Sequence, residues 1–163
     1  MQLTAQGIST TLPAGWEGRI SRRVDPTLDS AAAAAGFGTH GERTYPVAHL
    51  ANFPLPEQRA DFGSGAVDLM GPDHLFVCLF EYGPESVGTA LFAPQGLPRK
   101  LRAAQFSPRA LQHVIAGQSG FQRFFTEGNR AFCLFVVLGS HDNAPALVPL
   151  GNQVLSATTI EAR

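Results

Sequence analysis

Two stretches of the chain, residues 75–82 and 131–138, are apolar at nearly every position and do not alternate polar with apolar side chains. A strand with one solvated face alternates, whereas a strand with both faces buried reads as a continuous apolar run. We therefore predict that both stretches are central strands of a sheet that is covered on two sides. They are expected to form core and not a functional site.

The composition is that of one folded domain. Of the 163 residues, 44% are hydrophobic and 15% are charged. The charged fraction is low, since the average is roughly 25%. Residues 1–163 are therefore predicted to form a single domain, with a flexible loop at 24–44. The net charge of -1 gives no overall field that would attract nucleic acid.

No segment reaches the length of a transmembrane helix, since the longest apolar run, 131–138, has eight residues and roughly 18 are required. The first six residues also lack the basic and apolar regions of a secretory signal. We therefore expect no membrane span and a cytoplasmic location.

Turn-forming residues divide the chain into short strands. Residues 3–12 have strand composition with Gly7 at a bulge or bend, and 16–23 alternate loosely, as a strand near an edge does. Strands are also predicted over 46–53 and 66–70. Two β-rich runs flank Gly128-Asn129, a two-residue sequence typical of a hairpin turn.

Helical patterns are fewer. Leu147, Leu150, Val154 and Leu155 recur at helical spacing within 144–158. Pro149 is unfavourable inside a helix, so the helix is predicted either to begin near Val148 or to bend there. Residues 108–115 follow a capping Ser107 and favour a short helix over a strand. A single helical turn is allowed within 24–44.

The cysteines, Cys78 and Cys133, each lie in the middle of an apolar strand. Free cysteine is among the most buried residue types, so both are predicted to be buried, reduced and inert. A disulfide would require adjacent strands in a matching register.

Three sequence motifs resemble functional sites but lack the necessary context. Residues 36–41 match Gly-x-Gly-x-x-Gly, yet no buried strand precedes them and no helix follows, as a dinucleotide site requires. Residues 117–120 fall one glycine short of a nucleophile elbow and precede a strand, so we predict a β-turn. The five histidines are scattered without metal-ligand spacing, and no metal or cofactor is predicted.

Two clusters of basic residues are candidate partner-binding patches. Arginine and tryptophan are enriched among residues that contribute most to binding, although Trp16 is equally suited to cap the core. The first cluster contains Trp16, Arg19, Arg22 and Arg23, and the second contains Arg99, Lys100 and Arg102. The alternative is that these are solvated surface residues.

The segments at 12–20 (LPAGWEGRI) and 130–139 (RAFCLFVVLG), with NQVL at 152–155, resemble small, largely uncharacterised proteins of high-GC Gram-positive bacteria. More distantly, their order resembles the PsbP-like fold. The resemblance implies an α/β/α sandwich and a non-enzymatic binding role, and it carries no catalytic residues that can be transferred.

The predicted fold is α+β, a mostly antiparallel sheet with helices packed on it. The C-terminal helix is expected to cover one face, and residues 83–115 or a partner subunit the other. The leading functional hypothesis is a non-catalytic module that interacts with another protein or with itself. The first alternative is a small-molecule binder or an enzyme with a dispersed site, and the second is a structural subunit of an assembly. The polar residues nearest the apolar strands are His49, His74, Asp68, Glu81 and Arg123.

Overall fold

A computed structural model describes residues 1–22 and 45–163. The predicted loop at 24–44, with its helical turn and glycine motif, lies outside the described residues. Within them, the chain forms a five-stranded sheet of order β3-β4-β5-β7-β6 and a three-stranded sheet of order β1-β2-β8. The strands are β1 Gln2–Ala5, β2 Ile8–Thr11, β3 Glu17–Arg22, β4 Pro46–Ala51, β5 Leu75–Tyr82, β6 Ser119–Glu127, β7 Arg130–Leu138 and β8 Thr159–Ile160, and the helix α1 is Ala144–Ser156.

Every neighbouring pair of these strands is antiparallel. The prediction of an α+β chain that is mostly antiparallel sheet is therefore confirmed. Strands β5 and β7 are central neighbours, paired from Leu75 opposite Leu138 to Tyr82 opposite Ala131. Both are buried along essentially their whole length, which explains why their sequences do not alternate.

Helix α1 and the three-stranded sheet cover one face of the large sheet, here called the helix face. Leu147, Val154 and Leu155 from the helix, with Ile8 and Leu12 from the N-terminal hairpin, belong to the same buried cluster. The helix runs from Ala144 to Ser156 with Pro149 inside it. Of the two predicted alternatives, a helix that begins near Val148 is therefore wrong. Pro149 lies on the exposed side of the helix, although it cannot donate the intrahelical hydrogen bond to the carbonyl four residues earlier.

The opposite face, here called the loop face, is covered mainly by the connection between β4 and β5. Phe53, Phe62 and Val67 from that connection pack on the sheet, together with Leu111 and Ile115. The prediction that 83–115 would form this cover is only partly correct. That segment also supplies Leu97, Leu101 and Phe106 to the helix face, because it winds around the edge strand β6.

The structure contradicts two predictions of local structure and confirms a third. Residues 66–70 contain a 3-10 helix at Val67–Leu69 in place of a strand. The helix predicted over 108–115 is only a 3-10 turn at Pro108–Ala110, which the Ser107 side chain caps by accepting from the Arg109 amide. The Gly128-Asn129 hairpin is confirmed, and both turn residues have φ of 60°, as a type I′ turn requires.

Candidate functional site

A polar cleft of about 220 Å³ opens on the loop face beside strands β3 and β4. Strand pairing builds one of its walls, since Arg19 lies opposite His49 and Ser21 lies opposite Val47. The connection after β4 builds the other wall. The residues that line the cleft are Ser21, Arg22, Val47, His49, Glu57, Arg59 and Asp61.

The centre of this cleft is His49, which is only 4% exposed. Its Nδ1 accepts a hydrogen bond from Nε of Arg59 at 2.7 Å, and its Nε2 lies 2.6 Å from the backbone carbonyl oxygen of Asp61. Arginine can only donate, so the ring proton must be on Nε2, where it is donated to the carbonyl. Burial lowers the pKa of His49 below its usual 6.5, which keeps the ring neutral.

Both ring nitrogens of His49 are therefore occupied. The ring cannot take up a proton or bind a metal unless it gives up one of these bonds. Its role in this geometry is to hold the Arg59 side chain.

Arg59 is fixed at a second point, because Nη1 donates to the carbonyl oxygen of Pro56 at 2.7 Å. Its pKa is lowered by burial and then by the nearby charge of Arg19. Glu17 opposes this effect, while its Oε2 accepts from the Leu55 amide at 2.9 Å. Among the described residues, no carboxylate forms an ion pair with either arginine.

The first predicted patch does not form one surface. Trp16 is buried in the helix-face cluster, whereas Arg19 projects from the loop face, because neighbouring positions of a strand point to opposite sides. Arg22 is exposed and its Nε donates to Gln6 Oε1 at 2.8 Å. Arg23 lies outside the described residues.

One residue of the second predicted patch, Arg99, makes contacts within the protein. Arg99 pairs with Glu127 at 3.3 Å and donates to the carbonyl oxygen of Thr158 at 3.2 Å, so it ties its loop to β6 and to the end of α1. Lys100 and Arg102 are exposed.

The other polar residues of interest do not assemble around His49. His74 stacks on Phe53, and its Nδ1 accepts from the Gly71 amide. Asp68 bonds to His113 at 3.0 Å on another part of the surface. Glu81 and Arg123 point to the helix face, because each lies opposite a residue of β7 that belongs to the helix-face cluster. These residues do not form one dispersed site.

The turn before β6 places a serine beside a histidine. Ser119 Oγ lies 2.8 Å from His141 Nδ1. However, Ser119 is completely buried, so its hydroxyl cannot reach a substrate from this position. The turn predicted at 117–120 lies two residues earlier, since the Gln118 amide donates to the Ile115 carbonyl and β6 already begins at Ser119.

The two cysteines are buried and unpaired, as predicted. Cys78 lies opposite Phe135 and Cys133 lies opposite Phe80, so the strand register offsets the two thiols and prevents a direct cross-strand disulfide.

Sequence reasoning missed Arg59 and Asp61, which complete the cleft. Both lie in an irregular connection without periodicity, and no spacing relates them to His49. Among the described residues, no group of three or more histidine, cysteine or acidic side chains has a metal-binding arrangement. The described part of the chain also has no helix of the length and apolarity needed to cross a membrane.

Comparison of the chain with known protein families, with curated proteins and with solved structures gives no match.

Proposed function

We propose that this protein is a non-catalytic, cytoplasmic interaction module that binds another protein through the cleft. The observation that carries the proposal is the state of His49. Among the described residues that line the cleft, His49 is the one buried titratable side chain, and both of its nitrogens are engaged in orienting Arg59 and the loop. A cleft built this way presents a fixed cation and does not transfer protons.

The charge and size of the cleft support a protein partner. The charge of Arg19 lowers the pKa of Arg59, and neither arginine forms an ion pair with a carboxylate among the described residues. Arginine is also enriched in the buried centre of protein interfaces. The volume of about 220 Å³ is below the roughly 300 Å³ at which pockets for drug-sized ligands begin. A single side chain or chain terminus of a partner fits this space better than a larger small molecule.

The PsbP-like resemblance remains a prediction, and it agrees with a binding role. The α/β/α sandwich that it implies would place helices on both faces. The described residues place α1 on the helix face and irregular chain on the loop face. A role as a structural subunit is the alternative in which the partner is a second copy of this chain.

The test is site-specific photo-crosslinking in the native host. A benzophenone amino acid replaces Ser21, which is exposed and lines the cleft. The matched control replaces Ser156, which is exposed at the end of α1. We expect a crosslinked protein from position 21 but not from position 156, and its loss when Arg19→Gln is added. Equal crosslinking at both positions, or crosslinking that ignores Arg19→Gln, would contradict the proposal. The mass of the adduct separates a second copy from a different protein.

A further inference from the structure

We propose that the cleft is an oxyanion site, in which Arg59 and Arg19 bind a carboxylate or phosphate group. This inference rests on the proposed function for the location of the site and adds the chemistry of the group that is bound.

The first argument is the fixed orientation of the Arg59 guanidinium group. Nε donates a hydrogen bond to Nδ1 of His49, and Nη1 donates one to the Pro56 carbonyl oxygen. Nη2 has no hydrogen-bond partner among the described residues. A planar guanidinium that is already oriented loses little entropy when its Nη2 donates hydrogen bonds to an oxyanion.

The second argument is the position of Arg19. It lies directly opposite His49 on the neighbouring strand, and its positive charge lowers the pKa of Arg59. Its side chain has no hydrogen bond or ion pair among the described residues. Two neighbouring cations repel each other, and an anion between them offsets that repulsion because it is attracted to both.

The acidic residues of the cleft limit what can bind. Glu57 and Asp61 line it, and Glu17 lies near Arg59. None of the three forms an ion pair with Arg19 or Arg59 in the described part of the chain, so the arginines are not already neutralised by contact. The surrounding negative charge disfavours an extended polyanion and favours one compact group.

The space available agrees with a single group. A volume of about 220 Å³ is well above the roughly 10–15 Å³ that a single water molecule requires. An oxyanion and part of its hydration shell fit in that space, with the Ser21 hydroxyl available as a further donor.

The test is titration of the full chain with sodium phosphate and, separately, with sodium acetate at low ionic strength. Binding is followed by NMR through the Nε–H signals of the arginine side chains, with sodium chloride as the ionic-strength control. We expect saturable shifts of the Arg59 and Arg19 signals with at least one oxyanion and none with chloride. Phosphate binding alone would identify a phosphoryl group, and acetate binding a carboxylate.

Variants make the test specific. Arg59→Gln and Arg19→Gln should each weaken binding about tenfold or more, since a charge-assisted hydrogen bond is removed. Arg59→Lys should weaken it similarly, because a lysine ammonium cannot replace a planar group that is held by His49 and Pro56 while a third nitrogen donates to the anion. The control is Arg109→Gln, an exposed arginine on the turn at Pro108–Ala110, which should bind as the wild type does. Thermal melts confirm that each variant is folded.

Equal weakening by Arg109→Gln, or no saturable binding of either anion, would overturn the inference. The two proposals fail separately. If a protein is crosslinked at position 21 but phosphate and acetate neither bind nor release it, the oxyanion site is wrong and the interaction module stands. If an anion binds but nothing is crosslinked, the oxyanion site stands and the protein partner is wrong.

Discussion

The guanidinium group of Arg130 uses all of its donors inside the protein. Nε and Nη2 donate to the two carboxylate oxygens of Glu81 at 3.0 and 2.7 Å. Nη1 donates to the carbonyl oxygens of Gly7 and Glu161, and Nη2 also donates to that of Gln6. The side chains of Arg130 and Glu81 are each 1% exposed, so this pair ties the N-terminal hairpin and the end of the chain to the central strands.

We predict that Arg130→Met destabilises the protein by about 3–5 kcal/mol, the usual cost of breaking a buried ion pair by removing one partner. Methionine retains an apolar stem but leaves three carbonyl oxygens without this donor. It also leaves the Glu81 carboxylate buried, with Arg163 as its remaining ion-pair partner among the described residues. Since a domain is stable by only about 5–15 kcal/mol, the loss should be large.

The assay is equilibrium unfolding in urea, followed by Trp16 fluorescence and circular dichroism. For a slope of about 2 kcal/mol per molar, the midpoint should fall by about 2 M with the slope unchanged. The control is Arg163→Ala, which removes the second partner of the same carboxylate at 2.7 Å from a side chain that is 46% exposed. Solvent screening limits its cost to about 1 kcal/mol or less.

A double variant tests the physical cause. If the cost of Arg130→Met comes from the uncompensated carboxylate, adding Glu81→Met should restore part of the stability. The reasoning is refuted if Arg130→Met lies within about 1 kcal/mol of the wild type, or if it matches Arg163→Ala.

Three further predictions concern other parts of the fold. Because the pKa of His49 is lowered from 6.5 by burial, the unfolded chain binds a proton there that the folded chain does not. The free energy of unfolding should therefore fall as the pH drops below 6.5, and His49→Gln should flatten this part of the curve. Burial raises the pKa of Cys133 to about 11 and also raises that of Cys78 well above its usual value, so iodoacetamide at pH 8 should label both thiols only after denaturation; labelling of the native chain would contradict this. Gly128→Ala should destabilise by more than about 1 kcal/mol, since φ is +60° and a Cβ would lie 2.8 Å from Ala162, whereas Asn129→Gly should cost less in the same urea assay.

The features that could be predicted from the sequence are those set by local pattern. The continuous apolar runs of β5 and β7 reflect burial on both faces, and the Gly128-Asn129 turn follows from the positive φ that both positions require. The cover of the loop face could not be predicted in the same way. The side chains that pack on this face come from separate points of an irregular connection, at Phe53, Phe62 and Val67. Their spacing therefore matches neither the period of a helix nor that of a strand.

The contacts that build the cleft could not be predicted from the sequence either. His49 and Arg59 are ten residues apart, and their contact depends on how the connection after β4 folds back. One part of the first predicted patch could have been excluded from sequence, however. A strand over 16–23 places Trp16 and Arg19 on opposite faces, so a surface that contains both is incompatible with the strand itself.

The pairing of Glu81 with Arg130 had a sequence signal, because a charge within a doubly buried strand must find a partner or lose its charge. Glu81 lies near the end of one apolar strand, and Arg130 begins the other. Antiparallel pairing of two adjacent strands brings those two ends together, so each charge specifies the other and also the relative direction of the strands. Arg19 and Arg59 obey no such constraint, since a partly exposed arginine can remain solvated without a partner. Buried charges can therefore be paired from sequence by the cost of leaving them unpaired, whereas the cations of a binding cleft are recognised only when the folded chain shows that they form no ion pair with a nearby acid.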